Sequence, residues 1–117
     1  MTINVLFAGV AVSHLDSALD WYERLLDGPP DMAPNERERA WRLTDECWIY
    51  VLADADRAGG SLVTVMVDDL DALLAGFAER GIEVEEIQTI SERTRKAVIS
   101  DPDGNEIGFG EVASSGG

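Results

Sequence analysis

The sequence predicts an α+β fold built from two copies of one βαβββ unit, and three observations carry that reading. The first is an internal repeat. Val10-Ala11-Val12-Ser13-His14-Leu15-Asp16 is echoed 55 positions later by Val65-Met66-Val67-Asp68-Asp69-Leu70-Asp71. Each copy is a β-branched apolar run, a polar pair, Leu-Asp and then an amphipathic pattern, which is the signature of a duplicated structural unit. The second is a switch of hydrophobic period inside each copy, from two (strand) to 3.6 (helix). The third is a spread of short β-rich runs after each helical stretch, separated by turn residues. A duplicated unit in 117 residues leaves room for one domain, with a site where the halves meet.

Ile3 to Val12 reads as the first strand. Leu6, Ala8, Val10 and Val12 form one apolar row, and Phe7, Gly9 and Ala11 face the other way. Ser13 or Asp16 is the expected helix cap. Ala18, Trp21, Tyr22, Leu25 and Leu26 then keep the spacing of one buried helical stripe. Asp27-Gly28-Pro29-Pro30 stops the helix, and Met32 to Arg39 reads as a charged loop. Ala40 to Leu43 and Cys47 to Leu52 read as strands joined by Thr44-Asp45-Glu46, and Asp54 to Ser61 as the linker. The second copy runs through the strand Leu62 to Val67, the helix Leu70 to Arg80 ended by Gly81, and short-strand material from Ile82 to Ile90. Strands Arg95 to Ser100 and Glu106 to Glu111 flank the turn Asp101-Pro102-Asp103-Gly104-Asn105. The tail from Val112 is expected to fray. The modules are therefore placed at about 3–54 and 61–112.

Charge narrows the function. With 23 acidic against 9 basic residues the formal net charge is −14. Such a surface disfavours nucleic acid and anionic membranes, both of which need basic patches. Cys47 stands alone, so an intrachain disulfide is impossible and a reducing compartment fits. No apolar run reaches the length of a membrane span, and the N-terminal residues lack a signal-peptide pattern. A cytoplasmic protein without nucleic-acid or membrane partners is expected.

The order of the β-branched strand, x-Leu-Asp, Trp21-Tyr22-Glu23, Asp68-Asp69-Leu70-Asp71 and Asp101-Pro102-Asp103-Gly104-Asn105 resembles the vicinal oxygen chelate superfamily. That group contains glyoxalase I, bleomycin-resistance proteins and extradiol dioxygenases. The resemblance spans about residues 3–112 and implies curled mixed sheets enclosing a shared cleft, commonly within a homodimer. A ferredoxin-like α+β domain is the competing assignment. The resemblance also implies a divalent ion held by His, Gln or Glu on the first strand of each copy and Glu on the last. Six residues before each x-x-Leu-Asp tetrad stand Phe7 and Leu62. Three residues after the Asp-Pro-x-Gly-Asn turn stands Gly108, whose repeat equivalent is Tyr50. Phe and Leu lack donors, Gly lacks a side chain, and neutral Tyr is a poor ligand for such ions. No metal and no other cofactor is therefore expected.

The expected cleft wall is apolar and aromatic: Phe7, Gly9, Trp41, Trp48 and Tyr50 from one copy, and Leu62, Thr64, Met66 and Gly108 from the other. It suits a small, flat or apolar ligand, although the same residues would equally fill a closed core or a dimer interface. No catalytic residue is assigned. His14 and Cys47 read as an exposed imidazole and an inert thiol, Glu106 as a solvated carboxylate, and Arg93 to Lys96 as a solvated basic strand edge. The leading expectation is a homodimeric protein that binds a small molecule without metal. The alternative is a lyase, isomerase or dioxygenase of the same group, working through unusual metal ligands or none. A purely structural dimer is a third.

Overall fold

A computed structural model describes residues 1–113. Strand β1 (Leu6–Val12), helix α1 (Leu15–Leu25), and strands β2 (Met32–Asn35), β3 (Glu38–Thr44) and β4 (Cys47–Ala53) form the first module. Strand β5 (Leu62–Met66), helix α2 (Leu70–Glu79), and strands β6 (Glu86–Thr89), β7 (Thr94–Ser100) and β8 (Glu106–Val112) form the second. The two sheets have matching orders, β1-β4-β3-β2 and β5-β8-β7-β6. In each, the first strand pairs parallel with the last, and the remaining pairs are antiparallel. The fold is thus α+β, with two repeated βαβββ modules.

The register explains the two periods of the sequence. Val10 and Val12 lie beside Val51 and Ala53, and Val10, Val12, Ile49 and Val51 are buried under α1. In the second module Ala97, Ile99, Ile107 and Phe109 form the equivalent buried row. Each helix anchors its sheet with an aromatic contact. Tyr22 meets Trp41 at 6.2 Å between centroids, and Phe77 meets Phe109 edge-on at 5.2 Å. These rows join into one contiguous core shared by both modules.

Several local expectations change. Strand β1 begins at Leu6 rather than Ile3, because its partner β4 begins at Cys47 and offers nothing to pair with earlier residues. The cap of α1 is His14 rather than Ser13 or Asp16. The Ser13 amide instead donates to Asp103 Oδ2 at 2.9 Å. The stretch read as a loop over 32–39 contains β2 and the start of β3. All four β2 residues are exposed, so this edge strand has no apolar row to betray it, and Pro34 sits where an edge tolerates a missing N–H. Val112 pairs with Thr94 inside β8, and 114–117 of the tail lie outside the described residues.

The turn between β7 and β8 locks the modules together. The buried Asp101 carboxylate accepts from Tyr22 Oη at 2.8 Å, Asn105 Nδ2 at 2.8 Å, and the Asp103 and Asn105 amides at 2.9 Å each. Asn105, wholly buried, also donates to the Ala11 carbonyl at 2.7 Å and accepts from the Gly59 and Ser61 amides at 3.1 and 2.9 Å. Burial, then the neighbouring Asp101 charge and hydrogen bond, push the Tyr22 hydroxyl far above its ordinary pKa, so it stays a proton donor. Removing that donor strands part of a buried carboxylate. Tyr22→Phe is expected to cost about 1–3 kcal/mol of unfolding free energy in urea titration. Asn105→Ala is expected to cost more, because four hydrogen bonds go together.

Glu111 does similar work at α2. It accepts from the Leu70 amide at 2.9 Å and from Arg95 Nη2 at 2.9 Å, and these bonds hold its carboxyl below the usual carboxylate range. A depressed folded pKa means the stabilisation is complete at neutral pH. It is lost as pH falls below the unfolded value of about 4.3 and through the lower folded one. Glu111→Gln should therefore lower the Tm at pH 7, and the gap from the native chain should close in melts taken progressively further below pH 4.

Candidate ligand groove

Strand alternation gives each sheet a face turned from its helix, called here the open face. On the first sheet it carries Phe7 opposite Trp48 and Gly9 opposite Tyr50. On the second it carries Leu62 opposite Glu106, Thr64 opposite Gly108 and Met66 opposite Gly110. The registers correspond: each module's second open-face couple lies two residues beyond its first, so Tyr50 and Gly108 occupy equivalent places. Phe7 and Trp48 stack at 5.5 Å with planes 17° apart, forming a flat ledge. Leu62, Met66 and Phe7 are strongly exposed for large apolar side chains, at 79, 56 and 44%.

Strands β1 and β5 are the terminal strands of their sheets, and two hollows lie beside β1, one of them reaching β5. One hollow of about 220 Å³ is bordered by Leu6, Ala8 and Trp48 on one side and Thr64, Val65 and Met66 on the other. A second, of about 370 Å³, lies against Gly9, Ala11, Tyr50 and Leu52, with Gly60 and Ser61 of the linker. A wider groove of about 430 Å³ runs between α1 and α2 past Leu25, Leu73 and Arg80. It is on the helix side, and Arg80 there already donates to the Arg24 carbonyl at 2.5 Å and lies near Asp27.

Glycines shape the open faces by admitting long side chains across them. A Cβ on Gly9 would fall 2.5 Å from the Tyr50 ring, and one on Gly108 would fall 2.3 Å from Lys96 Cε. Met66 Sδ similarly lies 2.8 Å from the place of a Cβ on Gly110. Tyr50 therefore lies over β1, and Lys96 over β8.

Phe7, Gly9, Trp48, Tyr50, Leu62, Thr64, Met66 and Gly108 all lie on open faces. Trp41 does not. Ala40 pairs with Tyr50 and Trp41 with Ile49, so Trp41 turns inward, is 3% exposed, and donates its indole N–H to the Gly28 carbonyl at 3.0 Å. The β3–β4 register alone decides this, and the sequence carries no direct sign of it. His14 is exposed at the α1 terminus, and Cys47 is a half-buried free thiol. Lys96 was not anticipated on the open face. Its signal was parity, since Ala97 and Ile99 face the core and Lys96 must therefore face away.

The donor set does not fit the metal centre the resemblance implies. Its four positions hold Phe7, Tyr50, Leu62 and Gly108, which supply no carboxylate or imidazole. Among the described residues no group of three or more His, Cys, Asp or Glu side chains is placed to hold a metal ion. Glu106 is a single carboxylate, 4.0 Å from the Lys96 ammonium.

The sequence matches the family model described as the Glyoxalase/Bleomycin resistance protein/Dioxygenase superfamily over residues 3–109. The chain belongs to this superfamily. Its structure is similar to a glyoxalase/bleomycin resistance protein from Catenulispora Acidiphila DSM 44928, at 43% identity and a TM-score of 0.89, covering 93% of this chain and 98% of that one. It also shares its fold with an antibiotic binding protein from Streptomyces sp. CB03234, at 24% identity and a TM-score of 0.72, covering 94% and 96% of the two chains. A lactoylglutathione lyase from Agrobacterium tumefaciens has the same fold at 18% identity and a TM-score of 0.74, covering 95% of each. No curated protein matches the sequence. No helix among the described residues is long and apolar enough to cross a membrane.

Proposed function

We propose that this superfamily member is a binding protein that takes up a small apolar or aromatic molecule against its open sheet faces, without the family metal. The carrying observation is the set Phe7, Tyr50, Leu62 and Gly108 at the positions where the family's metal ligands are expected. A wall that lacks ion-holding donors but presents the stacked Phe7–Trp48 ledge offers dispersion and aromatic contact. The antibiotic binding protein of the same fold supports the reading, as this scaffold there serves binding. A cytoplasmic location agrees with the lone Cys47.

The working unit is proposed to be a homodimer. Leu62, Met66 and Phe7 are exposed large apolar side chains on the open faces, and a second copy laid against them would bury them and close the groove. Sedimentation at micromolar concentration should give a dimer; a monomer overturns this assignment.

Binding is tested by thermal melts against aromatic and antibiotic compounds, since a ligand of the folded state raises the Tm by mass action. Elemental analysis after dialysis against nickel, zinc, manganese and iron should give substoichiometric metal, and Tyr50→Glu alone should not change that result. Stoichiometric metal lost on mutating the groove would favour the enzyme of lyase, isomerase or dioxygenase type instead.

A further inference from the structure

The chain contains a single lysine, Lys96, in the short basic run Arg93-Thr94-Arg95-Lys96. The fold splits that run. Arg95 faces the helix side, where it hydrogen-bonds Glu111 at 2.9 Å and Asp71 at 3.2 Å. Lys96, one step along β7, pairs with Gly110 and faces the open side. Its stem lies across β8 because residue 108 has no side chain, and it is 24% exposed. Leu62, Thr64 and Val98 share its face.

The charge at the end of that stem is incompletely matched. Glu106 Oε2 is 4.0 Å from Nζ, an ionic contact too long for a hydrogen bond. An ammonium has three donors and no acceptor capacity. Holding it over an apolar wall costs free energy unless an anion comes to it. The surrounding protein makes the feature selective, because a chain of net charge −14 repels anions everywhere that a cation is not specifically presented.

We propose that Lys96 is the counter-ion for an acidic group of the ligand, so that the groove selects aromatic or apolar acids: a flat body on the open face and a carboxylate at Nζ. This rests on the binding reading above and adds to it the charge of the ligand. Gly108 is then a positioning residue, because any side chain there lifts Lys96 from the wall.

The test uses three probes of one shape, 2-naphthoate, 2-naphthamide and 2-naphthylmethylamine, titrated calorimetrically into the intact protein at constant pH and salt. Naphthoate should bind about tenfold tighter than the amide, with the amine weakest. Lys96→Met keeps the apolar stem and removes the charge. It should abolish the preference for naphthoate while leaving amide affinity within about twofold. Glu106→Gln should tighten naphthoate binding by freeing the ammonium. A second readout needs no variant. Reductive methylation with a 13C label marks Lys96 as the sole dimethyl-lysine resonance, and naphthoate should shift it more than the amide does. Equal binding of naphthoate and amide, a preference that survives in Lys96→Met, or a resonance unmoved at saturation would overturn the proposal and leave the groove reading standing. If none of the probes binds at millimolar concentration, the groove reading falls and takes this proposal with it.

Discussion

The geometry of the molecule hangs on one buried carboxylate and the amide beside it. Asp101 and Asn105 close the turn between β7 and β8, and their remaining hydrogen-bonding capacity reaches four other parts of the chain. These are α1 through Tyr22, the end of β1 through Ala11, the linker through Gly59, and the entry to β5 through Ser61. An isolated buried carboxylate is destabilising, and this one is tolerated because four donors converge on it. Repeated modules could pack in several relative orientations by apolar burial alone, since such burial is non-directional. One asparagine, Asn105, donates to the Ala11 carbonyl of β1 and accepts from the Ser61 amide at the β5 entry, and the pair of bonds selects one of them. The hollow of about 220 Å³ inherits its shape from that selection, as β1 and β5 are among its borders.

How far the sequence discloses this structure depends on whether a feature leaves a periodic trace. Both helices and the strands with a buried row, such as β1, β4 and β8, show alternation or a helical stripe, and the repeat ties the copies together. Strand β2 is exposed on every residue, so burial wrote no pattern into Met32–Asn35. Cap identity at α1 failed for a different reason: Ser13 has the right chemistry for a cap, but the helix starts one residue later, with His14 in the cap position, and the Ser13 backbone is tied to Asp103, ninety positions away in sequence. Tertiary pairing overrode local propensity there.

The site shows the same division. Parity within a strand was legible, which is why the rows Phe7–Gly9 and Leu62–Thr64–Met66 are on the faces their spacing suggests. Parity between strands was not. Trp41 belongs to a strand whose register against β4 is set by the turn at Asp45 and Glu46, and a shift of one residue exchanges the groove face for the core. Lys96 was obscured by composition, because a basic run reads as one solvated unit until pairing separates its alternate members. Gly9 and Gly108 carry no side-chain signal at all. Their role is visible only through the Tyr50 ring and the Lys96 stem that lie over them.

Those two glycines make the divergence from a metal centre coherent at both ends. A site that holds a divalent ion must turn acceptors, carboxylate or imidazole, toward the cavity. Here the equivalent open-face couples are Gly9–Tyr50 and Thr64–Gly108. The first presents a hydroxyl-tipped ring and the second is overlaid by an ammonium. The ammonium only donates hydrogen bonds and the phenol both donates and accepts, so neither couple turns a carboxylate or imidazole toward the cavity. A cation brought beside Gly108 would meet Lys96, and the nearby carboxylate of Glu106 already has that ammonium as its ionic neighbour. Replacing one residue, such as Tyr50 with Glu, leaves this arrangement in place. Reversing it would require removing the ammonium as well as adding acceptors on both sheets, because the sign of the site is a property of the whole wall.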